Sequence, residues 1–211
     1  MSEADVQPPP GIALGDDGLA RCRWGDSTPE YRVYHDTEWG FPVADDRRLF
    51  EKLSLEGFQA GLSWLTILRK REAFREAFAN FDHEQVAGFG EAEITALMDD
   101  ARIVRNRAKI EAVINNAQRM AELVAQEGSL AHFAWSYERA DSGPAPTQGD
   151  VPAETAESKA LSRELKRRGW RFTGPTTVYA FMQAMGLVND HLDGCHARAA
   201  VEAARAGFER P

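Results

Sequence analysis

Four side chains of the kinds that bind transition metals sit at opposite ends of this 211-residue chain: Cys22 and His35 near the start, His191 and Cys195 near the finish. They include both of its cysteines and two of its five histidines. Thiolate and imidazole are common zinc ligands, and four of them fill a closed tetrahedral site with no open position for water or substrate. The spacing of His191 and Cys195 predicts that a helical turn puts both on one face. If all four met at one ion, the metal would tie the two ends of the chain into one domain. The residue types alone leave other readings open. Free cysteine packs as a small buried hydrophobe, and two cysteines can pair as a disulfide. Residues 1–20 carry neither the basic nor the apolar region of a secretory signal. The expected location is therefore the cytoplasm, where disulfides are rare.

Glu56 is a second candidate, within Leu55-Glu56-Gly57-Phe58-Gln59-Ala60-Gly61-Leu62-Ser63-Trp64. A carboxylate among apolar and small residues often lines a pocket, although an exposed helical glutamate is the commoner case. Gly57, Ala60 and Gly61 permit close approach of a backbone or a ligand. Trp64 either stacks on a planar ligand or packs in a core. Trp24, Tyr31, Tyr34 and Trp39 flank Cys22 and His35. They either pack that segment or wall a cavity for a flat, positively charged ring, because aromatic faces attract cations.

Two basic runs could hold phosphates. One is Arg102, Arg105, Arg107 and Lys109; the other is Arg163, Lys166, Arg167, Arg168 and Arg171. A solvated helix face is the competing reading of both. The net charge of −8 weighs against a nucleic-acid partner. Part of that excess, Glu3, Asp5, Asp16 and Asp17, is confined to residues 1–20. No apolar run approaches the length of a membrane span, so no membrane partner is expected.

The elements that must position these residues read as an all-α fold of many short helices, with no alternating strand. Residues 1–20, with Pro8-Pro9-Pro10, read as a disordered extension. Residues 21–45 are aromatic-rich and broken by Pro29, Gly40 and Pro42, which predicts a compact segment rather than a long helix. Helical periodicity starts at residue 46 with Leu49, Phe50 and Leu53. A second stripe, Trp64, Ile67, Leu68, Phe74 and Phe78, follows Ser63 as N-cap. Asp82 and Gln85 resemble a capping box. Ile94, Leu97 and Met98 mark one helix, and Ile110, Val113, Ile114, Ala117 and Met120 mark the clearest amphipathic one. The short connection 99–107 between them predicts a basic helical hairpin able to aim amides and arginines at a phosphate. A short helix is expected over 129–137, a loop over 139–153, a helix ending at Gly169, and another starting at Pro175.

Several of these stretches together resemble the DNA-3-methyladenine glycosylase I family of the helix-hairpin-helix glycosylase superfamily. The likeness is carried by Arg21-Cys22-Arg23-Trp24, Tyr34-His35-Asp36-Thr37-Glu38-Trp39-Gly40, and the segment Leu55 to Trp64. It continues with Lys166-Arg167-Arg168-Gly169, Tyr179-Ala180-Phe181-Met182-Gln183-Ala184 and Gly186-Leu187-Val188-Asn189-Asp190-His191, and spans residues 21–196. The resemblance implies a single glycosylase domain flanked by extensions at 1–20 and 197–211. It implies a monofunctional enzyme that excises 3-methyladenine from alkylated double-stranded DNA and leaves an abasic site. It further implies one structural zinc on Cys22, His35, His191 and Cys195, base recognition by Glu56, and stacking by Tyr34 and Trp64, with Trp24 and Tyr31 nearby. Gly61-Leu62 matches the turn that fills the gap left by the extruded nucleotide. The family pattern implies a monomer. Arg102 stands where the family usually has glycine, so it either alters the hairpin or adds a phosphate contact. The main rival is a non-enzymatic, zinc-stabilised helix-hairpin-helix DNA-binding protein with an idle pocket.

Overall fold

The computed structural model describes residues 8–139 and 143–211. Eleven α-helices are present among them. A turn at residues 38–40 and an irregular stretch over 41–45 join α1 (Pro29–Thr37) to α2 (Asp46–Gln59), and α2 forms the centre of the molecule. Most of α2 is buried, from Leu49 to Phe58. It packs against α3 (Trp64–Leu68), α8 (Leu130–Trp135) and α10 (Pro175–Ala184). The remaining helices are α4 (Arg71–Ala77), α5 (His83–Ala87), α6 (Glu91–Asp99), α7 (Arg107–Glu127), α9 (Ala156–Arg167) and α11 (Ala197–Ala206).

Local signals place most helix starts. Ser63 accepts from the Thr66 amide, Asp82 from Glu84 and Gln85, and Asn106 from Lys109, each relieving an orphan donor of the first turn. Pro29 and Pro175 occupy first-turn positions, where their missing N–H costs nothing. The stripe from Trp64 to Phe78 is not one helix: it breaks at Arg69-Lys70, giving α3 and α4. Phe74 and Phe78 still reach the same core as Phe58, so apolar periodicity survives the break.

Other expectations from the sequence need correction too. A two-stranded antiparallel sheet exists: β1 (Ile12–Leu14) pairs with β2 (Ala20–Cys22), with Ile12 opposite Cys22. Strands of three residues are too short to show alternation, which is why pattern reading misses them. The stretch from Ile12 to Ala20, expected as disordered tail, is thus folded; residues 1–7 lie outside the described residues. Ile12 is buried in a small cluster with Cys22, Leu192, Cys195 and Ala197. Lastly, His191 and Cys195 meet in a turn and not on a helix. The Cys195 amide donates to Leu192 O at 3.0 Å, and Gly194 has a φ of +81°.

The C-terminal segment, read as an extension, is packed as well. Val201 and Arg205 of α11 are buried, and Phe208 stacks at a tilt on Trp135. Arg205 and Arg210 both bind Glu138, joining this end to the segment after α8.

Candidate active site and metal centre

The four Cys and His side chains converge. Their candidate ligand atoms lie within 4.8 Å of one another, and all four residues are buried. They can hold a metal ion. Cys195 Sγ lies 3.5 Å from His35 Nε2 and 3.5 Å from His191 Nδ1. The opposite ring nitrogens are held from outside. His35 Nδ1 is 2.8 Å from Asp36 Oδ1, and His191 Nε2 is 3.0 Å from Trp39 O. An imidazole that donates its outer N–H to a carboxylate or carbonyl turns its other nitrogen inward as a lone pair, the arrangement of a metal-ligating histidine.

Asp36 is held in turn by Arg21, whose Nε and Nη2 reach it at 3.0 and 2.8 Å. Burial raises the Asp36 pKa, but Arg21, His35 and His196 outweigh it and hold the carboxyl at about 2. Asp17 also binds Arg21, so the hairpin read as a disordered tail supports the metal centre. Cys195 and burial push the Cys22 thiol up, whereas Cys22, then His191 and His35, pull Cys195 well below the thiol range. Gly25 packs directly on this centre, because a Cβ there would lie 2.5 Å from the His35 ring.

Beside the centre is a cavity of about 370 Å³, lined by Trp24, Tyr31, Tyr34, Trp39, Lys52, Glu56, Gln59, Trp64, Gln183 and Asp190 among others. All the aromatic candidates named from the sequence therefore line one cavity. Trp24 meets Tyr31 and Trp39 edge-on, with ring centroids 5.4 and 5.0 Å apart. Tyr34 and Trp64 are tilted at 47° and 5.5 Å apart. The Tyr31 hydroxyl accepts from the Leu65 amide at 2.9 Å, fixing the start of α3 against α1. Burial pushes the Tyr34 hydroxyl well up and keeps it protonated.

Glu56 is only 6% exposed, so the pocket reading prevails over the exposed-helix reading. Sequence reasoning missed its partner. Lys52 Nζ lies 2.7 Å from Glu56 Oε1 and donates to Tyr34 Oη at 2.9 Å. The signal was available, because residues 52 and 56 are one helical turn apart. Gln183 and Asp190 were also missed as cavity residues. Asp190 accepts from Tyr179 Oη at 2.6 Å and from Gln183 Nε2 at 2.8 Å. Their chemistry depends on a meeting of α10 with the turn after it, which no local spacing announces. The Trp64 Nε1–H is buried without an acceptor at this wall.

Gly61 and Leu62 form the turn between Gln59 and Trp64. Gly61 has φ +80° with open space around its Cα, so the conformation requires glycine there and not a lack of room. Leu62 is 42% exposed, a large apolar side chain on the turn between Gln59 and Trp64, two residues that line the cavity.

The basic residues of the α6–α7 turn do not act alike. Arg105 is exposed and forms no ion pair among the described residues. Arg102 binds Asp100 and Glu76, and Arg107 binds Glu91 and Glu111, all as solvent-facing pairs. Arg102 is absent from the left-handed non-glycine positions, so the backbone there does not call for glycine. Lys109 corrects the expectation. It is 8% exposed, and its ammonium donates to Phe58 O at 2.8 Å and Ala60 O at 2.6 Å. It clasps the last carbonyls of α2 and is not placed to meet a phosphate. In the second cluster, Arg167 and Arg168 are taken up by Glu164, and Arg168 also by Glu127. Arg163, Lys166 and Arg171 are exposed.

A model of the methyladenine glycosylase family matches residues 24–199. The chain belongs to that family. It is 45% identical over 179 residues to DNA-3-methyladenine glycosylase 1 of Escherichia coli (strain K12), covering 84% of this chain and 96% of that one. A crystal structure of 3-methyladenine DNA glycosylase I superposes with a TM-score of 0.79 at 45% identity, covering 83% of this chain and 98% of that one. A single-residue variant of 3-methyladenine DNA glycosylase I in complex with 3-methyladenine gives a TM-score of 0.77 at 38% identity, over 84% of this chain and 97% of that one. Family membership and the resemblance read from motifs agree.

The Lys109 clasp is testable by stability. Lys109→Met leaves the buried Phe58 carbonyl and the partly buried Ala60 carbonyl without their ammonium donor and should lower the unfolding free energy by about 2 kcal/mol in urea melts. A variant as stable as the parent would return Lys109 to the surface role that the basic run implied.

Proposed function

We propose that this protein excises 3-methyladenine from alkylated duplex DNA by hydrolysing the bond between base and sugar. The observation that carries the reading is a buried carboxylate, Glu56, in an aromatic-walled cavity of about 370 Å³, in a member of the methyladenine glycosylase family. A solved relative holds 3-methyladenine itself.

A base inside a duplex is out of reach, so it must rotate into the cavity. Leu62 would enter the space it vacates, carried on the Gly61 turn. Helices α6 and α7 with their intervening turn would serve as the helix-hairpin-helix, with Arg105 meeting phosphate directly. Arg102 and Arg107 would exchange their exposed carboxylate partners for phosphate, since such pairs are worth about 0–1 kcal/mol.

Adenine methylated at N3 is cationic in DNA. When its bond to C1′ breaks, the electron pair flows into the ring and the base leaves neutral. Such a leaving group needs no strong general acid. Glu56 would accept from the exocyclic amine and favour the cationic ring, and Tyr34 and Trp64 would contact its faces. Water adds to C1′ and releases a proton, leaving an abasic site.

The metal we propose is one zinc ion on Cys22, His35, His191 and Cys195. Zinc–sulfur bonds of about 2.3 Å and zinc–nitrogen bonds of about 2.0–2.1 Å, set at tetrahedral angles, separate S and N by about 3.6 Å. The observed 3.5 Å separations fit. Four protein ligands would leave zinc no open position, so it would supply cross-linking and no chemistry to the reaction.

Incubation with methylated duplex DNA, with chromatography of the released base, tests the function. Free 3-methyladenine is expected from the wild type. Glu56→Gln should lower its release at least about tenfold while the fold persists; undiminished release would remove Glu56 from recognition. DNA binding without any base release would favour the non-enzymatic rival. Elemental analysis should find about one zinc per chain, and His191→Ala should lose it and melt at lower temperature. Protein purified without chelator that contains no zinc would refute the site.

A further inference from the structure

The cavity already contains a cation. The Lys52 ammonium lies 3.2 Å from the centroid of the Trp64 ring and 5.1 Å from that of Tyr34. One N–H goes to Glu56 Oε1 and one to Tyr34 Oη. An ammonium has three donors, and the ring face of Trp64 takes the place of a third acceptor. The side chain is 7% exposed. These partners, a carboxylate and two aromatic faces, are the groups that would receive a cationic base. Lys52 therefore uses the recognition site that the proposed reaction needs.

We propose that Lys52 is a specificity-determining residue: a resident counter-ion of Glu56 that a cationic methylated base must replace on Trp64 and Glu56. This rests on the glycosylase reading above. Like charges in a water-poor cavity repel strongly, so the ammonium and the cationic base do not share Glu56. Lys52 yields by passing one proton to solvent and remaining as a neutral amine. Burial already lowers its pKa below that of an ordinary lysine, against the pull of Glu56. Once the glycosidic bond breaks, the base is neutral. Lys52 then takes a proton back from solvent, regains Glu56 and Trp64, and competes with the product for the site.

The surrounding charges leave Lys52 and Glu56 as the exchanging pair. On the α1 side, Glu38 is bound by Arg71 of α4 in a two-pronged pair at 2.6 and 2.9 Å, and Tyr34 stays protonated. On α2, Glu51 is bound by Arg75 of α4. Arg48 lines a separate small cavity on the other side of Lys52, with Glu38, Glu51, Arg71 and Arg75. Also on α1, Tyr31 is tied to Leu65; elsewhere on the cavity lining, Asp190 is engaged by Tyr179 and Gln183. No other carboxylate among the described residues is in ion-pair contact with Lys52.

The sign follows. A protonated Lys52 blocks the cationic base, so kcat/KM should rise with pH as Lys52 loses its proton. The experiment measures 3-methyladenine release from methylated duplex DNA between about pH 5.5 and 9, with kcat/KM falling about tenfold per pH unit on the acid limb. Lys52→Met should remove that limb and raise kcat/KM at acid pH. Lys52→Arg, which keeps the charge at every pH, should instead depress kcat/KM throughout. A flat wild-type profile would overturn the proposal, even if neither variant folds. So would an unchanged limb in folded Lys52→Met, or activity in Lys52→Arg equal to wild type. Absence of base release by the wild type at any pH would sink the glycosylase reading itself, a distinguishable result.

Discussion

The working geometry of this protein depends on one long-range meeting: Cys22 and His35 against His191 and Cys195. Closing a loop of about 160 residues carries an entropic cost that no local interaction offsets. Two sets of contacts oppose it here. One is the four-donor centre itself; the other is the small apolar cluster of Ile12, Leu192 and Ala197 around the thiols. The meeting also decides where Tyr34 lies, since it precedes His35 in the chain. It joins the Lys52–Tyr34, Leu65–Tyr31 and Arg71–Glu38 contacts in fixing the aromatic segment against α2, α3 and α4 as a wall of the cavity.

The charges inside that cavity obey a different constraint. Burying a carboxylate or an ammonium alone is costly, and a buried pair is tolerated only with good geometry and further hydrogen bonds. Lys52 and Glu56 meet that condition through Tyr34 and Trp64. Around them, the Glu38–Arg71 and Glu51–Arg75 pairs satisfy the neighbouring charges. The result is a buried pair whose charges balance at the cavity wall. On the proposed reading, such a site binds a cation only by giving one up.

The outer surface is compatible with the proposed nucleic-acid role despite a net charge of −8. Acidic residues are paired with many of the arginines, as Glu76 and Asp100 are with Arg102. Exposed pairs of this kind are weak and exchangeable. Net charge averages over the whole surface, whereas docking is decided by the charges near the contacting turn.

Helix starts, the identity of the metal-type donors, the pocket glutamate and its aromatic company were legible in the sequence. Each depends on residue type or on spacing within a few positions, which backbone geometry converts directly into local structure. The short β1–β2 hairpin, the turn holding His191 and Cys195, the burial of Lys109 and the seating of Lys52 on Trp64 and Glu56 were not. Lys109 looked like part of a basic run because sequence adjacency shows neither which helix face is buried nor which carbonyls wait there. Lys52 stood one turn from Glu56 in plain view, but only the packing of α1 and α3 onto α2 shows that its ammonium rests on Trp64. Sequence alone determined which chemical groups this protein possesses and which helices carry them. Tertiary structure decided which charges face each other out of water, because desolvation depends on every element that closes over a group and not on its neighbours in the chain.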